Sequence, residues 1–332
     1  MYITINKQNF FNNLEILTKK TKSKDKLAIV LKDNAYGHGL ELIAKLSKEF
    51  GLTKAVVQNQ NEAKKIQKYF EYILVLADIP KEKSDIIRYT INDIEDIKLF
   101  PSGTKVELKV DTGMHRNGIL MDELEKAVAL IQKYNLNLEA VFTHHRSADE
   151  LTSEWFWQNQ NFKKVKEFFK NYNKPLRFHL ANSASLLRTK NFDEDMARVG
   201  IAAYGCIELP KEISNEAFKP VLSLYAKKIS SKKLKKGSKI GYGGTKELEK
   251  DAVVSNYDFG YGDGFLRVLS NNYETPKGIK QVGRISMDNS SFLSDEDELL
   301  IFDDATKVAK SANTISYEIL TSLKENIPRL LQ

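Results

Sequence analysis

The 332-residue sequence is poor in cysteine and has no long uncharged apolar segment. Its single cysteine, Cys206, excludes an intrachain disulfide and a cysteine-rich metal site, which suits a reducing compartment. No apolar run approaches the roughly 18 residues of a membrane span, and residues 1–6 lack the basic leader and apolar core of a secretory signal. We therefore expect a cytoplasmic protein with no membrane partner, no metal ion and a small, buried thiol.

A strong excess of one charge is also lacking, because 51 Lys and Arg residues face 44 Asp and Glu residues for a net charge of +7. The two signs are interspersed on helical segments, which indicates a solvated surface rather than a site for a polyanion. The densest basic run, residues 232–236, ends at Gly237 and has none of the interleaved aromatic residues of a nucleic-acid groove. It predicts a surface turn and no nucleic-acid partner.

Short aliphatic or β-branched runs alternate with segments of helical period between residues 27 and 205. Met121–Tyr134 and Glu154–Lys170, for example, repeat apolar residues every three or four positions. Eight such runs in repeated βα units favour a closed (β/α)8 barrel of the TIM type over an open sheet. The runs are Leu27–Leu31, Lys54–Gln58, Tyr72–Leu76, Ile87–Ile91, Val106–Val110, Leu138–Thr143, Leu176–Leu180 and Arg198–Ala203.

After Pro220 the pattern changes to short alternating segments interrupted by glycine, which is typical of a β module. The sequence thus predicts an α/β protein with a barrel domain at 1–218 and a mainly β domain at 219–332. Packing of the extreme N-terminus against the second domain stays open.

Lys32 follows the first apolar run, at the carboxyl end of a predicted strand, where the active-site residues of such barrels lie. A lysine there can act as an amine nucleophile when it is desolvated, although by position alone a lysine packed along the strand edge is the more common case. Residues 32–39, KDNAYGHG, resemble the lysine motif of the alanine racemase family, including Tyr36, which in that family reaches the cofactor phosphate.

Further segments resemble this family in the family's own order. Residues 109–118 are similar to its fifth-strand motif and retain Arg116, with His115 where a small residue is usual, and Thr143–His144 is similar to the sixth-strand histidine, with His145 replacing a common aromatic residue. The remaining matches are residues 179–184, 198–205, 241–245, 260–264 and 283–288.

The resemblance implies a pyridoxal 5'-phosphate enzyme that interconverts L-alanine and D-alanine and supplies D-alanine for peptidoglycan. Lys32 would bind the cofactor covalently, and Lys32 and Tyr242 would be the two catalytic bases, on the D-face and the L-face respectively. The other cofactor-binding residues would be Tyr36, His144, His179, Asn182, Ser183, Arg198, Gly200 and Ile201. Substrate would contact Arg116, Met287, Tyr261 and Asp288, and Lys109 stands where many members carry a carbamylated lysine.

The same resemblance implies a head-to-tail homodimer in which Lys32 of one chain meets Tyr242 of the other. Some members also place a tyrosine near the active site close to the C-terminus. Residues 324–329, KENIPR, lack one, so we expect that tyrosine to be missing.

Two other classes of protein compete with this interpretation. A related barrel decarboxylase would carry a catalytic cysteine in its second domain, whereas Cys206 lies at the end of the barrel. A single-barrel pyridoxal-phosphate carrier would lack the residues after 220. A racemase of broad amino-acid specificity would share all of these motifs.

Overall fold

The computed structural model describes residues 1–332. In chain order, the strands are β1 Tyr2–Ile5, β2 Leu27–Val30, β3 Lys54–Val57, β4 Tyr72–Val75, β5 Ile87–Ile91, β6 Lys105–Asp111, β7 Ile119–Leu120, β8 Asn137–Phe142, β9 Arg177–His179, β10 Ala197–Val199, β11 Leu222–Leu234, β12 Lys239–Ile240, β13 Lys246–Glu247, β14 Ala252–Tyr257, β15 Ser290–Phe292, β16 Glu298–Phe302 and β17 Arg329–Leu331. The right-handed helices are α1 Lys7–Thr21, α2 Leu40–Phe50, α3 Gln60–Ile66, α4 Leu124–Lys133, α5 Glu154–Phe168, α6 Ser183–Arg188, α7 Ala305–Ala312 and α8 Ser316–Thr321.

Eight parallel strands follow one another around the first sheet in the order β10-β2-β3-β4-β5-β6-β8-β9, and the short strand β7 pairs with β6 as a ninth. Strands such as β2 and β4 are apolar and buried along their whole length, because helices cover the outside of the sheet and side chains fill its inside. Regular pairing stops between β9 and β10, where single hydrogen bonds such as Arg198 N to Ala181 O (2.9 Å) join the two edges. The sheet is therefore a nearly closed barrel, and the predicted (β/α)8 fold is confirmed.

The eighth predicted strand is shorter than the sequence pattern suggested. It ends at Val199, and the chain then turns sharply, with Ala203 N donating to Gly200 O at 2.8 Å. This early end leaves the backbone of Gly200 and Ile201 at the rim of the barrel instead of in a strand ladder.

The second sheet has the order β15-β14-β11-β1-β17, with β16 also on β11. Its strand β1 comes from the N-terminus, pairs antiparallel with β11 (Tyr2 opposite Tyr225) and lies parallel to β17 (Ile3 opposite Arg329). The expected surface turn at 232–236 is wrong in part, because residues 232–234 belong to β11 and pair with β14. The C-terminal part also contains the helices α7 and α8, so it is not built of strands alone.

Asn13 of α1 ties the barrel to the segment that leads into the second sheet. Its fully buried amide donates to Ala203 O (3.1 Å) and Lys219 O (2.8 Å) and accepts from Lys219 N (2.9 Å). All hydrogen-bonding groups of this side chain are thus paired, which a buried amide needs. None of the helices combines the length and the apolar character needed to cross a bilayer.

Candidate active site

The chain makes a left-handed helical turn directly after β2 and Lys32. Asp33, Asn34, Ala35 and Tyr36 all have φ between 51° and 55°, a conformation that costs a non-glycine residue about 1–2 kcal/mol. Four such residues in succession need strong local support, and the next residue, Gly37, is also left-handed at φ 74°.

Hydrogen bonds on both sides of the turn supply that support. Asp33 N donates to Glu62 Oε1 (2.7 Å), and Asn34 Oδ1 accepts from Leu40 N (2.8 Å). Arg329, from the last strand of the chain, donates twice to Gly37 O, at 3.0 and 3.1 Å. The turn is therefore fixed by parts of the chain that are nearly 300 residues apart.

The turn directs Tyr36 across the end of the barrel onto Gly200. A Cβ atom built on Gly200 would lie 2.7 Å from the Tyr36 hydroxyl, so only glycine leaves room for that contact. Gly200 N in turn donates to Ser183 Oγ at 3.1 Å. Burial raises the pKa of Tyr36, which keeps its hydroxyl protonated as a hydrogen-bond donor.

These groups line one wall of a cavity of about 770 Å³ at the carboxyl ends of the barrel strands. The cavity collects most of the side chains that the sequence predicts for cofactor and substrate, namely Lys32, Tyr36, Lys109, Arg116, His144, Asn182, Ser183, Arg198, Gly200 and Ile201. His179 is fully buried beneath this cavity and does not line it.

Two cations share the wall formed by β6 and the loop that follows it. Burial, together with the charges of Arg116 and Arg198, lowers the pKa of Lys109 to about 8. The Arg116 loop is held from below by Asp111, whose carboxylate accepts from Gly113 N (2.9 Å) and His115 N (3.0 Å). At His115 the backbone is left-handed (φ 55°), and its exposed ring also contacts Asp111.

Arg198, the middle residue of β10, adds a buried guanidinium to the lining of the same cavity. Its Nη2 donates to Thr143 O (2.7 Å) and its Nη1 contacts His179 Nδ1, whereas Nε has no hydrogen-bond partner in the chain. Burial lowers the pKa of Arg198 to about 10, so the group still carries its charge at neutral pH. Burial and the charge of Arg198 hold the pKa of neighbouring His144 well below its usual range, so His144 is neutral.

Tyr242, Tyr261, Met287 and Asp288 lie outside this cavity. All four are exposed, Tyr242 by 70%. Backbone hydrogen bonds from Tyr261 N to Ser286 O (3.0 Å) and from Gly262 N to Met287 O (2.8 Å) join two of their loops into one surface. Within one chain, the structure does not bring Tyr242 to Lys32.

The expectation that no C-terminal tyrosine reaches the site is wrong. Tyr317 of α8 lines the cavity, with its ring centroid 5.8 Å from that of Tyr36. Tyr317 precedes residues 324–329, the segment in which this tyrosine was expected, by seven positions or more. In the sequence, Tyr317 is recognisable only as a tyrosine at the start of a short amphipathic helix. The tertiary structure alone shows that this helix folds back onto the barrel.

Comparison with known families gives matches over both halves of the chain. The N-terminal domain model of alanine racemase matches residues 5–208, and the C-terminal domain model matches residues 221–331. The chain belongs to the alanine racemase family.

Individual relatives agree over the full length. The alanine racemase of a Nitratiruptor species is 48% identical, with 99% of this chain and 98% of that protein aligned, and that of Campylobacter curvus is 41% identical, with 98% of each aligned. A crystal structure of alanine racemase from Bacillus anthracis with bound L-Ala-P has a TM-score of 0.89 at 29% identity, covering 100% of this chain and 94% of that one. The alanine racemase from E. faecalis also has a TM-score of 0.89, at 28% identity, covering 100% and 98%.

Members of this family are pyridoxal-phosphate-dependent isomerases, and the residues around the cavity fit that cofactor. The Tyr36 hydroxyl and the backbone at Gly200 form a small, polar cradle of the kind that takes a phosphate group. The unpaired Nε of buried Arg198 is a charged donor of the kind that would suit the ring nitrogen of this cofactor. Lys32 lines the same cavity and carries a primary amine, the group that covalent attachment of this cofactor requires.

Proposed function

We propose that this chain interconverts L-alanine and D-alanine and that Lys32 and Tyr242 are the two bases that exchange the α-proton. The observation that carries the proposal is the convergence of Lys32, the Tyr36–Gly200 cradle and Arg198 on one cavity. Bound pyridoxal phosphate would supply the electron sink that makes the α-proton of an amino acid removable.

In this proposal the barrel holds the cofactor. Lys32 carries it covalently, Tyr36, Ser183, Gly200 and Ile201 surround the phosphate, and Asn182, which caps α6 through a 2.8 Å bond to Ser185 N, supports that loop. Arg198 faces the ring nitrogen and rests on His179. Because arginine does not readily release a proton, Arg198 should leave the ring nitrogen unprotonated, which would make the ring a weaker electron sink and restrain side reactions.

Arg116 is proposed to bind the substrate carboxylate, with Lys109 as its neighbour. An ordinary ammonium group at Lys109 would repel Arg116, whereas a carbamate on Lys109 would form an ion pair with it. The pKa of about 8 supports the proposal, because only the neutral amine reacts with carbon dioxide.

The second base is proposed to come from another copy of the chain. Tyr242, Tyr261 and Met287 form an exposed surface rather than a wall of their own chain's cavity, and Asp288 lies beside them. A head-to-tail homodimer would place this surface over the partner's Lys32. A tyrosine needs cationic or hydrogen-bonding neighbours to act as a base at neutral pH, and Arg116 of the barrel would be one.

We also propose the domain division at residues 218 and 219, with β1 added to the second domain, a cytoplasmic location, and supply of D-alanine for peptidoglycan. The cytoplasmic location is supported by a single cysteine that is reduced and buried. Burial raises the pKa of Cys206 to about 12, so its thiol is a poor nucleophile and does not favour decarboxylase chemistry.

The decisive experiment is incubation of the cofactor-loaded protein with L-alanine, followed by chiral chromatography. D-alanine should accumulate to about an equal mixture, and the Lys32→Ala variant should form none. A panel of other L-amino acids distinguishes an alanine-specific racemase from one of broad specificity. Release of an amine and carbon dioxide without D-alanine would refute the proposal in favour of a decarboxylase.

A further inference from the structure

Strand β6 presents charged side chains to the barrel interior at alternate positions, Glu107, Lys109 and Asp111. Lys109 lines the cavity and Asp111 holds the loop above it. Glu107 lies deeper, is 0% exposed, and has no part in the proposed reaction. A buried carboxylate is costly unless it is fully paired, so its contacts indicate what it does.

Three donors saturate Glu107. Its Oε1 accepts from the Tyr72 hydroxyl (2.6 Å) and from Arg177 Nη2 (3.0 Å), and its Oε2 contacts His179 Nε2 at 2.9 Å. Burial opposes ionisation of Glu107, but the hydrogen bond from His179 and the charge of Arg177 outweigh it and hold its pKa below the usual value. Glu107 is therefore a carboxylate.

The neighbouring His179 has only one tautomer that satisfies both of its contacts. Arg198 Nη1 is a donor with no acceptor capacity, so His179 Nδ1 must be unprotonated to receive it. The proton is then on Nε2, facing Glu107. Burial lowers the pKa of His179 to about 4, so the ring is neutral, and it is stacked on Phe142 at a centroid distance of 4.8 Å.

We infer that Glu107 is a positioning residue of the active site: it fixes the Nε2–H tautomer of His179, which orients Arg198 so that Nε is free for the ring nitrogen of the cofactor. The inference rests on the proposed role of Arg198. Glu107 reaches the site only through His179, and it also supplies the negative charge that offsets the burial of the Arg198 guanidinium.

Glu139 provides a matched control on the neighbouring strand. It shares Arg177 with Glu107 (3.2 Å) and pairs with Arg88 (2.9 Å), but it makes no hydrogen bond to His179. A general loss of charge pairing at the floor of the barrel would therefore follow from Glu139→Gln as well as from Glu107→Gln. An effect through His179 would follow from Glu107→Gln alone.

The Glu107→Gln substitution has a specific consequence for the tautomer. Tyr72 and Arg177 both donate to Oε1, so the amide oxygen takes that position and the amide NH₂ faces His179 Nε2. Two donors then oppose each other, which favours movement of the ring proton to Nδ1. That proton in turn opposes Arg198 Nη1 and displaces the guanidinium.

The test is ¹⁵N NMR of the histidine rings in the cofactor-free protein, with the His179 signals assigned by their loss in His179→Gln. The wild type and Glu139→Gln should show the Nε2–H tautomer, and Glu107→Gln should show Nδ1–H. Affinity for pyridoxal phosphate should fall by roughly tenfold in Glu107→Gln, as expected when a buried donor loses its partner, and by less than about twofold in Glu139→Gln.

Three results would overturn the inference. They are an Nδ1–H or doubly protonated His179 in the wild type at pH 7, an unchanged tautomer and cofactor affinity in Glu107→Gln, or equal losses in the two variants. If Glu107→Gln does not fold, the tautomer of His179 in the wild-type spectrum still tests the inference. A tautomer switch in a protein that fails to racemise alanine would leave this inference standing and refute the proposed function alone.

Discussion

Lys109 shows how burial sets the chemistry of one side chain. Its amine and the Arg116 guanidinium line the same cavity wall, and an unmodified ammonium would add repulsion where a substrate carboxylate has to bind. Carbamylation joins the amine nitrogen to carbon dioxide with release of one proton, and it replaces that repulsion by an ion pair.

We predict that Lys109→Ala lowers kcat/KM by roughly tenfold or more, the effect of removing a charge-assisted pair of about 1.5–3 kcal/mol. Small carboxylates such as acetate should restore part of the activity, because they can take the place of the carbamate. Lys105→Ala, on the same strand but at the far end of the barrel, should leave kcat/KM unchanged, with or without acetate. Absence of a ¹³C carbamate signal from the wild type under labelled bicarbonate would contradict the modification.

The unmodified amine also makes a pH-dependent contribution to stability. Its pKa falls from the ordinary 10.5 to about 8 in the folded chain, so the unfolded chain binds more protons between these values. The free energy of unfolding should therefore rise with pH from about 8 to 10.5 relative to Lys109→Met, with the penalty full below pH 8 and absent above 10.5. Urea denaturation in buffers free of carbon dioxide measures this difference, and parallel profiles of the two proteins would count against it.

Tyr242→Phe separates the two proposed bases. The substitution keeps the ring but removes the ionisable oxygen, so racemisation should fall by roughly 10²–10⁴-fold, as for loss of a general base. Because Lys32 remains, the α-proton of D-alanine should still exchange with deuterated solvent, whereas exchange from L-alanine should be far slower. Equal exchange of both enantiomers would make Tyr261 the next candidate for the L-face base.

At the scale of elements, the left-handed turn after Lys32 depends on contacts from elsewhere in the chain. A Cβ on Gly37 would lie 2.0 Å from Leu320 O of α8, and the residue has φ 74°. Gly278 is also left-handed, at φ 76°, but nothing lies within 4 Å of its Cβ position. A side chain at either position would have the same backbone strain, but only at Gly37 would its Cβ also clash with a neighbouring atom.

We predict that Gly278→Ala destabilises the protein by about 1–2 kcal/mol and that Gly37→Ala costs clearly more. Chemical denaturation of the two variants measures the difference. Gly37→Ala should also weaken cofactor binding, because Tyr36 moves with the turn, while Gly278→Ala should not. Equal destabilisation by both substitutions would mean that α8 yields easily and does not hold the turn.

At the scale of the whole molecule, Lys32 and Tyr242 lie in different parts of the chain and do not share a cavity. If their meeting requires two chains, the inactive variants Lys32→Ala and Tyr242→Ala should complement each other. An equal mixture with free subunit exchange should regain about a quarter of wild-type activity, since half of randomly paired dimers are hybrids and each hybrid has one intact site. No recovery, with subunit exchange shown by mass spectrometry, would refute shared sites.

The sequence by itself determined the barrel and most of its site. The eight runs, buried on both faces and separated by amphipathic helices, have few other ways to bury their apolar surface, and the motifs from Lys32 to Ile201 follow the strand ends that the barrel brings together. Tyr36, Arg116 and Arg198 could be named without a structure, because the segments that contain them resemble motifs of the alanine racemase family.

The tertiary structure decided what depends on contacts between distant segments. Tyr317 reaches the cavity because α8 folds back onto the barrel, and Arg329 holds the turn at Gly37 from the last strand. The pairing of Glu107 with His179 across 72 residues depends on which side chains of β6 and β9 face the same point of the barrel interior. Local propensity and periodicity describe residues a few positions apart, so they give no account of such pairs. Such pairs are set by hydrogen bonds and burial between strands that are far apart in the sequence.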